Sequence, residues 1–284
     1  MANPEQHVQP EKAPWMEQTL AKQLSRERDF KVQAPTVAFQ YAILCGHRMG
    51  SNLLSEALYG TGMAGDPMEF FNLRLLKRLY EQRDVKSIPF PLYIQEMKAR
   101  RTSPNGVFGF NIKVDQFVNY FEHNHMAGLK FIKDCDYVIF LYRKDKIKQA
   151  ISVYIGQQRD TFRIPADADY SKIEEIVSTV PFNPTVISNI LHNLIKQEQA
   201  WVRLLHTNNI PHEKLIYEDF IKDYEDTIDR ILHRIGVPPA DRKIPPMPTM
   251  KVSTFRNEEF KEQFMALLTG EKSMADLLPA DIPE

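Results

Sequence analysis

"YAILCGHRMGSNLL", residues 41–54, carries the reading that decides the fold. An unbroken apolar run from Tyr41 to Cys45 ends in a short turn that holds Arg48 between Gly46 and Gly50, and a helix-like stretch opens at Ser51. A strand, a tight turn and a helix start together aim several unpaired backbone N–H groups at one spot, and that spot attracts an oxyanion. Gly46 and Gly50 let the chain fold tightly against the ligand. Arg48 can fork two donors onto phosphate oxygens, and Ser51 and Asn52 add side-chain donors at the helix start. His47 and Met49 complete the turn, His47 being read as a solvated imidazole with contact to the bound group as the rival reading. A triphosphate loop needs a lysine directly after its last glycine. Here Ser51 stands in that place, and residues 32–76 contain no lysine. The turn therefore suits a 5′-phosphate that carries something other than a phosphate chain, or else it is a plain strand-to-helix connection with a solvated arginine.

Outward from this stretch the chain alternates between two kinds of pattern. Strand-like runs rich in β-branched and aromatic residues occur at 36–44, 106–114, 136–143 and 213–218, with long helical stretches between them. That alternation predicts an α/β fold of three layers, a central and mostly parallel sheet flanked by helices. Val186, Ile187, Ile190, Leu191, Leu194, Trp201 and Leu205 form one helical stripe. Phe220, Tyr224, Ile228, Ile231 and Ile235 form another, stopped by Gly236 and the prolines after it. Residues 1–35 are expected to be a polar extension with one helix over Pro14–Arg28, and 36–284 a single domain. Two stretches, 73–105 and 158–184, fit no regular element and are expected to be long insertions that bind the acceptor.

Composition excludes several classes. With 36 basic against 37 acidic residues among 284, the formal charge is -1, which argues against a nucleic-acid binder or an anionic-membrane binder. Any anion site must be local. Cys45 and Cys135 have no metal-ligand spacing and are expected to be reduced thiols. No signal-peptide pattern and no apolar run of membrane-spanning length is present, so a cytoplasmic location is expected. His123 and His125 are two apart and do not share a helix face, so no metal is expected there.

The turn "GHRMGSNLL" (46–54) resembles the donor loop of the bacterial trehalose 2-sulfotransferase-type family, and five further pieces follow in that family's order. They are "GTGMAGDPMEFFN" (60–72), "TSPNGVFG" (102–109), "YRKDKIKQAIS" (142–152), and "QEQAW" (197–201) with "LIYEDF" (215–220). The resemblance implies a P-loop-like sulfotransferase fold and a reaction in which 3′-phosphoadenosine 5′-phosphosulfate (PAPS) gives its sulfuryl group to a hydroxyl or amine of a small acceptor, a sugar or a natural product. Adenosine 3′,5′-bisphosphate (PAP) leaves, and no metal takes part. It implies 5′-phosphosulfate contacts at Arg48, Gly50, Ser51 and Asn52, a 3′-phosphate clamp at Arg143 and Ser152, and a general base at Glu69. Rival readings make Glu69 a helix-terminal carboxylate, Arg143 the partner of Asp145, and Ser152 a helix residue bonded to its own backbone.

Two departures from the pattern matter. Asn111 stands where relatives often carry a lysine, and strand alternation puts Lys113 on the same face as a stand-in. The C-terminal covering loop resembles "MKVSTFRNEEF" (250–260), which implies donor contacts from Lys251 and Arg256. Relatives are often homodimers. Two other functions fit the same turn: a nucleotide-dependent small-molecule kinase, and a nucleotide-binding protein without catalysis.

Overall fold

A computed structural model describes residues 25–31, 36–159, 170–248 and 255–271. The larger part of the helix expected over Pro14–Arg28, residues 160–169 of the second insertion, and Lys251 lie outside the described residues. The one described end of that helix, Arg26–Arg28, is a single 3-10 turn capped by the Ser25 hydroxyl.

Four strands, β1 (Phe39–Cys45), β2 (Val107–Lys113), β3 (Tyr137–Tyr142) and β4 (Glu213–Ile216), form one parallel sheet in the order β2-β1-β3-β4. Each expected strand run overlaps one of them, and β1 runs one residue past its run, to Cys45. β1, β2 and β3 are buried on both faces, which is why they read as continuous apolar runs instead of alternating ones, while only Leu215 is buried in the edge strand β4. Ala42, Leu44, Phe108, Phe110, Val138 and Phe140 face one way; Tyr41, Ile43, Cys45, Ile139 and Leu141 face the other.

The first face is covered by α2 (Leu73–Gln82), α3 (Phe90–Arg101), α4 (Val114–Tyr120), α5 (His125–Lys133) and the end of α8 (Pro184–Thr207). The second is covered by α1 (Ser51–Gly60), α9 (Tyr217–Lys222) and α10 (Tyr224–Arg234). A third cluster joins α6 (Lys146–Arg159), α7 (Tyr170–Ser178), the first half of α8, and α11 (Phe255–Leu268). The three-layer α/β expectation holds.

Three details correct the sequence reading. The stretch 73–105 contains two helices: α2 starts at an Asn72 cap that accepts from the Arg74 amide at 3.0 Å, and α3 has a proline in its first turn, where a missing N–H costs nothing. Part of 158–184 is likewise helical, as α7 and the ends of α6 and α8. The second stripe is two helices that break at Asp223, which ends α9 and opens α10.

Candidate functional site

The sheet register assembles the site. Cys45 pairs with Lys113 and Leu44 with Phe140, so the turn after β1 lies between the start of α4 and the end of β3. The chain leaves β1 towards β2 on one side, while β3 lies on the other. A ligand crevice is expected at this reversal, beyond the carboxyl ends of the strands.

Three side chains hold the turn's carbonyls. The Trp201 indole donates to the Cys45 carbonyl at 2.8 Å, the Gln149 amide to His47 at 2.7 Å, and the Arg143 guanidinium to Arg48 at 2.9 Å. Carbonyl oxygens repel an anion, so tying them up from outside favours an anion within the turn. Arg48 has φ 58 and Gly50 φ 83, the left-handed backbone that curls the turn onto the N-terminus of α1. Met49 is buried, and its sulfur accepts from the Gly46 amide. Ser51 is buried at the first position of α1, with Asn52 after it.

Arg48 donates through Nε to the Ser152 hydroxyl at 2.9 Å. Burial, then the like charge of Arg143, lower the Arg48 guanidinium to about 10. Burial lowers Arg143 as well, and its Nε is buried with no hydrogen-bond partner; the nearest carboxylate oxygen, on Glu218, is 3.8 Å away. Its guanidinium stacks 4.9 Å from the Tyr217 ring. Glu218 accepts instead from the Lys144 and Asp145 amides. Arg48, Arg143 and Ser152, assigned from separate stretches of sequence, are thus one connected group.

A second cluster stands at the end of β2. Lys113 forms an ion pair with Glu69, whose other oxygen accepts from Gln116 at 2.7 Å and Asn72 at 3.1 Å. Burial raises the Glu69 carboxyl, but Lys113 and the two amides outweigh it and bring it down to about 2. Burial lowers Lys113, and Glu69 more than restores it. Asn111 lies on the same strand face and accepts from the Cys45 thiol at 3.1 Å. His47 is not solitary: its Nε2 lies 3.2 Å from Asp115.

Arg256 opens α11, donates to the Val180 carbonyl and to Glu259, and lies over Phe260; none of these partners belongs to the turn. A cavity of about 810 Å³ between α2, residues 84–90 and the α4–α5 junction includes Leu76, Tyr80, Phe90 and Tyr120 in its wall. It contains no residue of the turn but begins at Leu73, next to Asn72. Among the described residues no group of three metal-ligating side chains occurs, both cysteines are free thiols, and no helix is long and apolar enough to cross a membrane. Trp201, Gln149, Gln116, Asn72 and Asp115 were not singled out as site residues from sequence. Asn72, Gln149 and Trp201 lie inside three of the quoted motifs, and that is the one signal the sequence offers for them.

Fold and site together define an α/β protein whose turn at the carboxyl edge of a parallel sheet gathers Arg48, Arg143 and Ser152. The family model for Stf0 sulphotransferases matches residues 40–266, and the chain belongs to that family. It is 22% identical over 259 residues to trehalose 2-sulfotransferase of Mycolicibacterium smegmatis, a match that covers 79% of this chain and 93% of the relative. It is 23% identical over 261 residues to trehalose 2-sulfotransferase of Mycobacterium tuberculosis, covering 80% and 94%. Among solved structures, a sulfotransferase from Alicyclobacillus acidocaldarius aligns with 87% of this chain and 99% of its own, at 15% identity and a TM-score of 0.44.

Proposed function

We propose that the protein transfers a sulfuryl group from PAPS to a hydroxyl or amine of a small polar acceptor, with PAP leaving. The observation that carries this reading is the meeting of Arg48 and Arg143 at one turn, each lowered by burial, with the Arg143 Nε buried and unpartnered. Two cations this close are unfavourable until an anion with separated charged groups neutralises both. PAPS, with a phosphosulfate on one ribose carbon and a phosphomonoester on another, has that distribution of charge.

The donor supplies an activated sulfur–oxygen bond. Arg48 and the amides of the turn hold the phosphosulfate oxygens, while Arg143 and Ser152 hold the 3′-phosphate. Lys113 faces the charge that builds on the leaving oxygen, and positioning with positive charge is the main demand of such a loose transition state. Glu69, the base that the resemblance implies, holds Lys113 and gains proton affinity only as Lys113 turns towards the transferred group. The cavity beside Leu73 is the acceptor surface on this reading. The names of the two curated relatives make trehalose the first acceptor to try.

Calorimetry with PAP and with ATP, followed by mass spectrometry of trehalose incubated with PAPS, tests the proposal. The expected result is a preference for PAP and a product heavier by about 80 Da, the mass of SO3. A preference for ATP sinks it in favour of a kinase; PAP binding without any sulfuryl release leaves a binding protein. Arg48→Ala should weaken PAP binding by about tenfold to a hundredfold, since a hydrogen bond to a charged group nets about 1.5–3 kcal/mol.

A further inference from the structure

We propose that His47, held by Asp115, accepts the proton of the acceptor hydroxyl or amine in this chain. This rests on the reading of the turn as the site of the PAPS phosphosulfate.

Three observations meet at this pair. Asp115 Oδ1 is buried and meets no well-aligned hydrogen-bond donor, while His47 Nε2 stands 3.2 Å from it. A proton kept on Nε2 satisfies that oxygen, and the lone pair then belongs to Nδ1. Nδ1 has no hydrogen-bond partner among the described residues. The position is also fixed: the His47 carbonyl is held by the fully buried Gln149, and the next residue, Arg48, has φ 58. Asp115 is the second residue of α4 and lies two residues beyond Lys113, whose strand position pairs with Cys45. The imidazole therefore stands at the same end of the sheet as the Lys113–Glu69 ion pair.

The contrast with Glu69 is one of access and of occupied lone pairs. The Glu69 side chain is 11% exposed and already accepts from Lys113, Gln116 and Asn72. The His47 and Asp115 side chains are 41% and 42% exposed, open to an arriving acceptor. Burial raises the Asp115 carboxyl, but His47 and then Lys113 outweigh it and hold it lowered, so it remains an anion able to face an imidazolium. Glu69, brought down to about 2, is a weak proton acceptor while its three donors stay in place.

The step balances without any redox partner. The acceptor oxygen or nitrogen forms a bond to sulfur as its proton passes to His47 Nδ1. The bridging sulfur–oxygen bond breaks, and its electron pair leaves on the 5′-phosphate of PAP. His47 then returns the proton to water.

The test measures PAP release from labelled PAPS with trehalose present and with water as the sole acceptor, alongside calorimetry with PAP and thermal denaturation. His47→Ala should lower the rate by about 10²–10⁴-fold, bind PAP as the wild type does, and recover part of the rate in added imidazole. Asp115→Asn should lower kcat while leaving the KM for PAPS unchanged, and Asp115→Glu should restore part of it. A His47→Ala enzyme as fast as wild type overturns the inference, as does one whose loss is not rescued by imidazole or is matched by lost PAP binding. Wild-type protein that releases no PAP in either mixture overturns the sulfotransferase reading, and this inference with it.

Discussion

Gly50 shows how tightly single residues are specified here. Its φ is 83, and a Cβ built on it would stand 2.4 Å from the Tyr217 ring. Gly50→Ala costs about 1–2 kcal/mol for the left-handed backbone, and displacing the ring adds about 1–3 kcal/mol. Because Arg143 stacks on that ring, the variant should lose PAP affinity as well as urea resistance; an unchanged urea midpoint would contradict this. The Lys113–Glu69 pair gives a prediction in pH. Glu69 is lowered in the folded chain, so its contribution is whole above its unfolded value of about 4.3 and is lost as pH falls towards about 2. The stability difference between wild type and a Glu69→Gln/Lys113→Met double variant should therefore shrink between those values in urea titrations, while Lys113→Met alone should cost about 3–5 kcal/mol near neutrality by stranding a buried carboxylate. A difference that is flat with pH would refute the assignment. At this scale the sequence showed which residues are chemically equipped, among them Arg48, Arg143, Lys113 and Glu69. It did not show who pairs with whom, because Glu69 meets Gln116, and Gln149 meets His47, across 47 and 102 positions of chain.

Among the elements, β1, β2 and β3 were legible because burial on both faces leaves one unbroken apolar signature. The helices α2 and α3 were not, although Asn72 and the run Leu75, Leu76, Leu79 were visible; Pro89 and Pro91 read as breakers when they stand at the entrance of α3. The break at Asp223 was hidden because Phe220 and Tyr224 keep the helical spacing across it. The apolar stripe of the 24-residue helix α8 was legible from Val186 to Leu205, but it concealed a polar contact, since Trp201, 1% exposed, reaches the turn through its ring N–H. Trp201→Phe keeps the ring and removes the donor, leaving the Cys45 carbonyl buried and unpaired at about 1–3 kcal/mol. Weaker PAP binding with the helix content by circular dichroism unchanged is the expected outcome; equal affinity would mean that the indole only fills space.

On the scale of the molecule, a buried ionic knot ties the segment before the sheet to the connection that carries Glu69. Asp66 is fully buried and accepts from both Arg28 and Arg101, while Arg28 also meets Glu56 and lies 4.0 Å from the Tyr59 ring. Asp66→Asn uncouples two buried cations and should cost about 3–5 kcal/mol, read as a lower Tm. Since Met68 and Asn111 tie that connection to β2, turnover should fall further than PAP affinity.

The long helix α8 belongs to two cores at once: Ile187 and Leu194 sit with α6 and α11, whereas Trp201 and Leu205 sit under the sheet. Ser152 hangs from the first assembly and the turn from the second. On the proposed reading a nucleotide clasped by both rivets two cooperative blocks together, so deuterium uptake along 255–268 should slow in concert with that along 146–159, the helix that carries Ser152, when PAP is added.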